Sequence, residues 1–260
     1  MEYGTIPISN FQLAFSVILI LITGTITAVL RLGLLRSFIW GTVRAFVQLT
    51  LVGYVLTYIF DINNLWLIIG LVTIMCYIAS RAAVKRTPNV PNYPQMLAFA
   101  SLLASTYLVG TIVVTLIIAP DPWYSARIAI PIFGMLLGNS MNGIALSLDR
   151  LYSEVKSHTD EIEAMLTFGA TPWEAIRSSV REAIRAGMTP NMNSLMVVGL
   201  VSLPGMMTGQ ILGGADPQEA VRYQIVVMLM ITTAVAIGCL TLVGLSYKRF
   251  FNEDGSLKDL

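Results

Sequence analysis

Seven continuously apolar stretches, each near twenty residues long, constrain this chain more than any other feature. An α-helix rises 1.5 Å per residue, so about twenty residues cross the roughly 30 Å hydrocarbon core of a bilayer. The expected spans are about Phe11 to Leu30, Arg44 to Phe60, Leu65 to Ser80, Gln95 to Ala119, Ser125 to Leu148, Asn191 to Gly213, and Pro217 to about Tyr247. The runs are unbroken rather than alternating, which argues against barrel strands. Composition agrees. The chain is 55% hydrophobic and 12% charged with mean hydropathy +0.73, whereas soluble domains carry about 25% charged residues. The first run lacks a basic leader and its apolar core is too long for a signal peptide, so it reads as a retained span. The expected fold is an all-α polytopic membrane bundle of about seven transmembrane helices. Residues 1–260 form one transmembrane domain, with a water-facing segment at 149–190.

Charge placement orients the bundle. Of the 16 Lys and Arg residues, only Arg127 and Arg222 fall in one set of alternate loops. Arg31, Arg36, Arg81, Lys85, Arg86 and the rest fall in the other. The positive-inside rule then puts the N-terminus outside and the C-terminus in the cytoplasm of the cell's inner membrane. Seven crossings are needed for this alternation to close. Two further turn signals flank the middle spans: a proline-rich loop from Pro88 to Pro94, and Pro120-Asp121-Pro122. The N-terminal ten residues, Pro7 among them, carry no basic residue.

The one long polar interval, Thr159 to Pro190, reads as helix, break and helix. Thr159 is placed to cap the first helix, with Asp160 and Glu161 against its positive end. Ile162, Met165 and Leu166 share a face, and Gly169-Ala170 interrupts the run. Thr171, Pro172 and Glu174 then form a capping box with proline at the first helical position. Trp173, Ile176, Val180 and Ile184 make an apolar stripe. Arg177, Arg181 and Arg185 make a basic column suited equally to a protein partner or to anionic lipid headgroups. Gly187 is expected to stop this helix and Pro190 to prevent its continuation.

Spans five and six hold prolines, Pro131 and Pro204, which bend or break a helix. Broken helices near mid-membrane are where transporters often hold substrate. The candidate translocation path is therefore Pro131, Met135, Asn139, Asn142, Pro204, Met206, Met207 and Gln210. Asn139 and Asn142 lie on one face, as interhelical glue or as polar lining. Gln48 and Gln224 add further amides, and Met141 another thioether, in or beside the spans. Gly134 and Gly138, and Gly205, Gly209 and Gly213, repeat at four-residue spacing, which suits close helix approach. No carboxylate sits in the middle of a run, which argues against a proton relay or sodium site. Cys76 and Cys239 read as small buried side chains and His158, the only histidine, as solvated. The metal-ligand set is left unknown. The methionines could offer a soft-metal path, but they equally fill space. No Walker A pattern is present, so any ATP is bound by another chain.

Two motifs resemble a known family. Glu163-Ala164-Met165 with Gly169 six residues after the glutamate resembles the E-A-A…G cytoplasmic loop of ABC-transporter permeases, with Met165 in place of the second alanine. Beginning at Val198, VGLVSLPGMMTGQILGGADPQEAVRYQI is similar to the FetB-type permease family. That family includes bacterial iron-export permeases and plant STAR-type aluminium-tolerance permeases. Pro131-Ile-Phe-Gly134-Met135…Gly138-Asn139 and Arg44-Ala-Phe-Val-Gln48…Val52-Gly53-Tyr54 extend the likeness over nearly the whole chain. The resemblance implies a permease paired with a separate ABC ATPase that carries the ATP, with no cofactor on this chain. It also implies a homodimer in the lipid bilayer, no nucleic-acid partner, and export of iron or a related metal or solute. Docking would fall on Glu163, Ala164, Gly169, Ala170, Thr171, Pro172 and Trp173. Plant relatives are associated with a nucleotide sugar, and the spans lack the carboxylate and imidazole ligands iron prefers. The remaining alternatives are a non-transporting scaffold or signal transmitter acting on an ATPase, and an ion-coupled carrier.

Overall fold

The computed structural model describes residues 8–87, 90 and 94–258; Pro7 and most of the proline-rich loop lie outside them. Six of the seven apolar runs become unbroken helix, because in hydrocarbon every backbone N–H and C=O must bond within the chain. The helices are α1 (Asn10–Phe15), α2 (Val17–Val29), α3 (Leu35–Ile62), α4 (Leu65–Lys85) and α5 (Gln95–Ile112). A π-helical turn at Val113–Ile118 prolongs α5. Then come α6 (Ala126–Ser157), α7 (Thr159–Thr167), α8 (Pro172–Val197), α9 (Gly205–Leu212) and α10 (Pro217–Ser246). Among the described residues, six helical stretches are long and apolar enough to cross a membrane uninterrupted.

The seventh crossing is discontinuous, and helix register proves that it exists. Gly143 of α6 packs against Val235 of α10, and Ile144 against Gly238. The Tyr152 and Phe250 rings lie 4.7 Å apart. Residue numbers rise together along both helices, so α6 and α10 run parallel. The chain between Ser157 and Pro217 must therefore return across the same thickness. It does so through the C-terminal part of α8, a non-helical stretch at 198–204, and α9.

Three expectations are corrected here. Gly187 does not stop α8, and Pro190 does not prevent its continuation, since the helix runs on to Val197. A Cβ at Gly187 would overlap Ser147 Oγ and stand 2.6 Å from the Gly143 carbonyl oxygen and 2.8 Å from Cys239 Sγ. The glycine is there for contact: it lets α8 cross α6 and α10 at backbone distance, and that packing holds the helix through it. Pro131 does not break α6 either, which is continuous over 32 residues and is the most deeply packed of the spans. Thr159 is not a cap. His158 holds the N-cap position without a side-chain capping bond, and the Thr159 hydroxyl donates back to the Val155 and Lys156 carbonyls. Span boundaries also shift, as α3 begins nine residues before Arg44 and α6 runs nine past Leu148.

Two apolar cores result. The larger joins α4, α5, α6 and α10 around Leu102, Leu136, Ile144 and Leu242, and it buries Cys76. The smaller lies at one end, where Leu151 and Val155 of α6, Ile162 of α7, Ile176 and Val180 of α8, Val243 of α10 and Phe250 meet. By contrast, only 6% of the apolar window of α1–α2, and of α3, is buried. A surface of that kind is what lipid or another membrane helix covers.

Candidate functional site

The water-facing segment folds as a helical hairpin. Gly169 takes φ +90°, a left-handed conformation that glycine adopts without steric penalty. It reverses the chain between α7 and α8, and the Ala170 N–H closes the turn on the Met165 carbonyl at 3.0 Å. Thr171 then caps α8 as its sequence predicts. Its hydroxyl accepts from the Glu174 N–H at 3.3 Å, and the Glu174 carboxylate accepts from the Thr171 N–H at 2.8 Å and its hydroxyl at 2.7 Å. These two bonds hold the Glu174 carboxyl below its ordinary range.

The hairpin is exposed on one side and anchored on the other. Glu163, Ala164, Gly169 and Thr171 face outward, as do Arg177, Arg181 and Arg185. Trp173 is half-exposed, with its ring 5.2 Å from that of Tyr247 past the end of α10, and Pro172 packs near Gly255. Ile162, Ile176 and Val180 point inward to the small core shared with α6 and α10. A force on the turn therefore reaches two membrane-crossing helices through close-packed side chains. Sequence reasoning missed Phe168, which stands 92% exposed at the tip. Its position just past the last turn of α7, off the Ile162–Met165–Leu166 stripe, was the available signal.

The candidate path residues separate into two groups. Asn139 and Pro204 come together in a cavity of about 220 Å³ that Asn191, Ser194, Val198, Ser202, Met228 and Thr232 complete. Pro204 and Met207 also line an adjoining cavity of about 350 Å³, with Val198, Met228 and Gln224 among its walls. Both open beside the break between α8 and α9. Asn139 uses its amide N–H to bond the Met135 carbonyl. Outside both cavities, Met135 and Met206 pack on the large core and Pro131 faces outward. Asn142 plays a different part from Asn139. It accepts a 2.6 Å bond from Arg86, tying the end of α4 to α6. The Gln210 Oε1 is buried without a partner. Of the repeated glycines, Gly134 lies beside Met75, where a Cβ would stand 3.6 Å from its methyl carbon. A Cβ at Gly138, Gly205 or Gly209 would meet nothing within 4 Å, so no helix of this chain uses that space. Among the described residues, no three His, Cys, Asp or Glu side chains cluster as metal ligands.

A polytopic helical bundle with one broken crossing and a polar hairpin is a multi-pass membrane protein. The chain belongs to the family described as "Uncharacterised protein family (UPF0014)", which matches residues 10–251. It is 40% identical over 228 residues to the UPF0014 membrane protein slr1647 of Synechocystis sp., covering 87% of each chain. It is 35% identical over 246 residues to the "Probable iron export permease protein FetB" of Escherichia coli, covering 95% of this chain and 93% of that one. It is 34% identical over 240 residues to the Arabidopsis thaliana "Protein ALUMINUM SENSITIVE 3", covering 92% and 86%. No solved structure matches.

Proposed function

We propose that this chain is the permease subunit of an ATP-driven exporter, whose ATPase is a separate chain docking on the α7–α8 hairpin. The observation that carries this is the two-sided character of the hairpin, exposed along Glu163, Phe168, Gly169 and Thr171 and packed inward onto α6 and α10. A partner that closes on ATP would push the exposed side. The small core would pass that displacement to α6 and α10, and Gly187 would pass it to α8 and so to the broken crossing. In this reading the hairpin and C-terminus face the cytoplasm and the N-terminus faces outward across the inner membrane, as the loop charges favour. Two copies surround one path, in which the uncovered α1–α3 and the unused glycine faces meet lipid or the second copy. ATP stays with the partner, and the 35% identical FetB supports iron, or a related metal or solute, as the cargo.

The test is reconstitution with the cognate ATPase. Gly169→Val and, separately, Phe168→Ala should each lower permease-stimulated ATP hydrolysis by at least tenfold while membrane insertion stays normal. Unchanged stimulation in both would sink docking at this turn. Nucleotide turnover without flux of iron in sealed vesicles would support a signal transmitter in its place.

A further inference from the structure

We infer that the two cavities beside the α8–α9 break form one site for an uncharged amphiphile, a hydroxyl- or amide-bearing head group on a hydrocarbon tail. That this molecule is cargo rests on the permease reading; the site itself does not. The first observation is that the two adjoining spaces differ in character. The larger, about 350 Å³, is walled by Leu195, Leu203, Val221, Ile225 and Leu229. Leu203, Ile225 and Leu229 are exposed, so this space opens sideways, toward lipid. Gln224 belongs to the same wall, but its unpaired Oε1 is closed off from the space, which leaves it apolar. The smaller, about 220 Å³, holds Asn139, Asn191, Ser194, Ser202 and Thr232. Val198, Pro204 and Met228 line both, so one molecule can occupy the pair, tail in the larger and head in the smaller. Sites for small organic ligands measure about 300–1,000 Å³, and the pair falls within that range.

The second observation is what the smaller space offers. The Ser194 hydroxyl donates to the Pro190 carbonyl at 2.9 Å, and the Thr232 hydroxyl to the Met228 carbonyl at 2.9 Å. Both oxygens keep lone pairs and act as acceptors. Asn139 spends one amide N–H on the Met135 carbonyl and keeps the other, together with its own carbonyl oxygen. Asn191 and Ser202 bring an amide and a hydroxyl, each a donor as well as an acceptor. A hydroxyl or amide uses both kinds of group, whereas a bare ion would use only one.

Charge and depth fix the class of head group. Among the described residues, neither wall contains Asp, Glu, Lys, Arg or His. A charged head would therefore be buried without a partner, which a medium of low dielectric penalises heavily. Thr232 lies 15 residues into α10 and Asn139 13 into α6, each roughly 20 Å from the helix start at 1.5 Å per residue. That depth falls inside the roughly 30 Å hydrocarbon core, where a polar head has no water to bond. The tail gains little, since lipid is as apolar as the groove. Selectivity thus sits with the head group, and the polar pocket is what lets it stand at this depth.

The full chain in lipid nanodiscs, with no ATPase present, is photolabelled with monooleoylglycerol carrying a diazirine in its chain. Label should map to residues 195–207 and 221–232, and unlabelled monooleoylglycerol should compete for it. Met228→Trp, which fills the shared wall, should cut this labelling at least fivefold. Thr232→Val, close in shape, should cut it at least twofold. Leu116→Trp, on the exposed face of the π-helical turn and outside both cavities, should leave it unchanged. The same acyl chain on a phosphate or a phosphocholine head should label at least fivefold less. Labelling that ignores both cavity substitutions overturns the proposal, as does a phosphate analogue that labels equally well. So does loss of labelling in discs that hold two copies, which would give the groove to the second copy. Cavity-dependent labelling beside an ATPase insensitive to this chain would keep the site and remove the coupled permease. The converse pattern would keep the permease and remove the site.

Discussion

Two crossings of this bundle carry a proline in an apolar run, and they differ completely. In α6, Pro131 sits in a helix continuous from Ala126 to Ser157. In the α8–α9 crossing, Pro204 ends a non-helical stretch of seven residues that includes Gly199 at φ +82°. Proline chemistry is the same in both, since each lacks an N–H donor. What differs is the support. More than half of the α6 apolar window is buried against neighbours, whereas Leu200 and Val201 at the break are 88% and 82% exposed. Packing repays α6 for its missing hydrogen bond, and the bare segment has nothing to repay it. The rigid crossing thus becomes the frame and the broken one the part free to line a path.

The contact that joins the two is Gly187. Gly187→Val would drive branched carbons into Ser147, Gly143 and Cys239. Overpacking of this kind costs about 1–3 kcal/mol and occasionally more, and we expect the upper end, because all three obstacles lie on the continuous helices α6 and α10 and one of them is backbone. Thermal denaturation in detergent should show the largest loss of any single change described here. A wild-type melting point would mean that α8 does not ride on α6.

Removing a helix-breaker should have opposite signs in the two crossings. Pro131→Ala restores a donor inside an established helix and should raise stability by about 1–2 kcal/mol, part of the roughly 3 kcal/mol proline costs in a helix interior. Gly199→Ala forces a Cβ into left-handed backbone and should lower it by about 1–2 kcal/mol. Equal signs would erase the distinction between frame and path.

How far the sequence foretold this depends on the range of the interaction. The turn at Gly169 and the Thr171–Glu174 cap were legible because each is decided within four residues. Gly187 and Pro190 were misjudged because packing overrides local helix signals, and a sequence does not state what a glycine touches 40 residues away at Ser147. That Asn142 bonds Arg86 in particular depends on which face α4 presents to α6. Asn139 and Pro204 line one cavity beside the gap, where a broken helix draws polar groups. Gln224 was noticed as an amide, but its unpaired oxygen becomes visible only once its neighbours are known.

A smaller effect belongs to the hairpin. Thr171→Ala removes the α8 cap and should cost about 1 kcal/mol, read as faster proteolysis at the Phe168–Thr171 turn. Its pH dependence has a definite sign. The Glu174 carboxyl is held below its ordinary value of 4.5 in the folded chain. Its contribution is present above that value and is lost as pH falls through the lower folded one. Turn proteolysis by an acid protease should therefore rise on acidification in the native chain and be less pH-sensitive in Thr171→Ala.

The smallest expected effect tests what covers the broken crossing. Gly138 lies on α6 and Gly209 on α9, and a Cβ at either meets nothing within 4 Å. In a single copy, Gly138→Ala and Gly209→Ala should each be neutral or stabilising by up to about 1 kcal/mol, the usual gain in a helix. A second copy packed on that face would reverse the sign, because a methyl group would then meet a neighbour's backbone. The two substitutions should be compared in the detergent-solubilised chain at high and low protein concentration. A stabilising Gly138→Ala beside a Gly209→Ala that destabilises only at high concentration would place the second copy on α9. Neutral effects at both sites and all concentrations would leave that face to lipid, and the path would then be shaped by α6, α8, α9 and α10 of one chain.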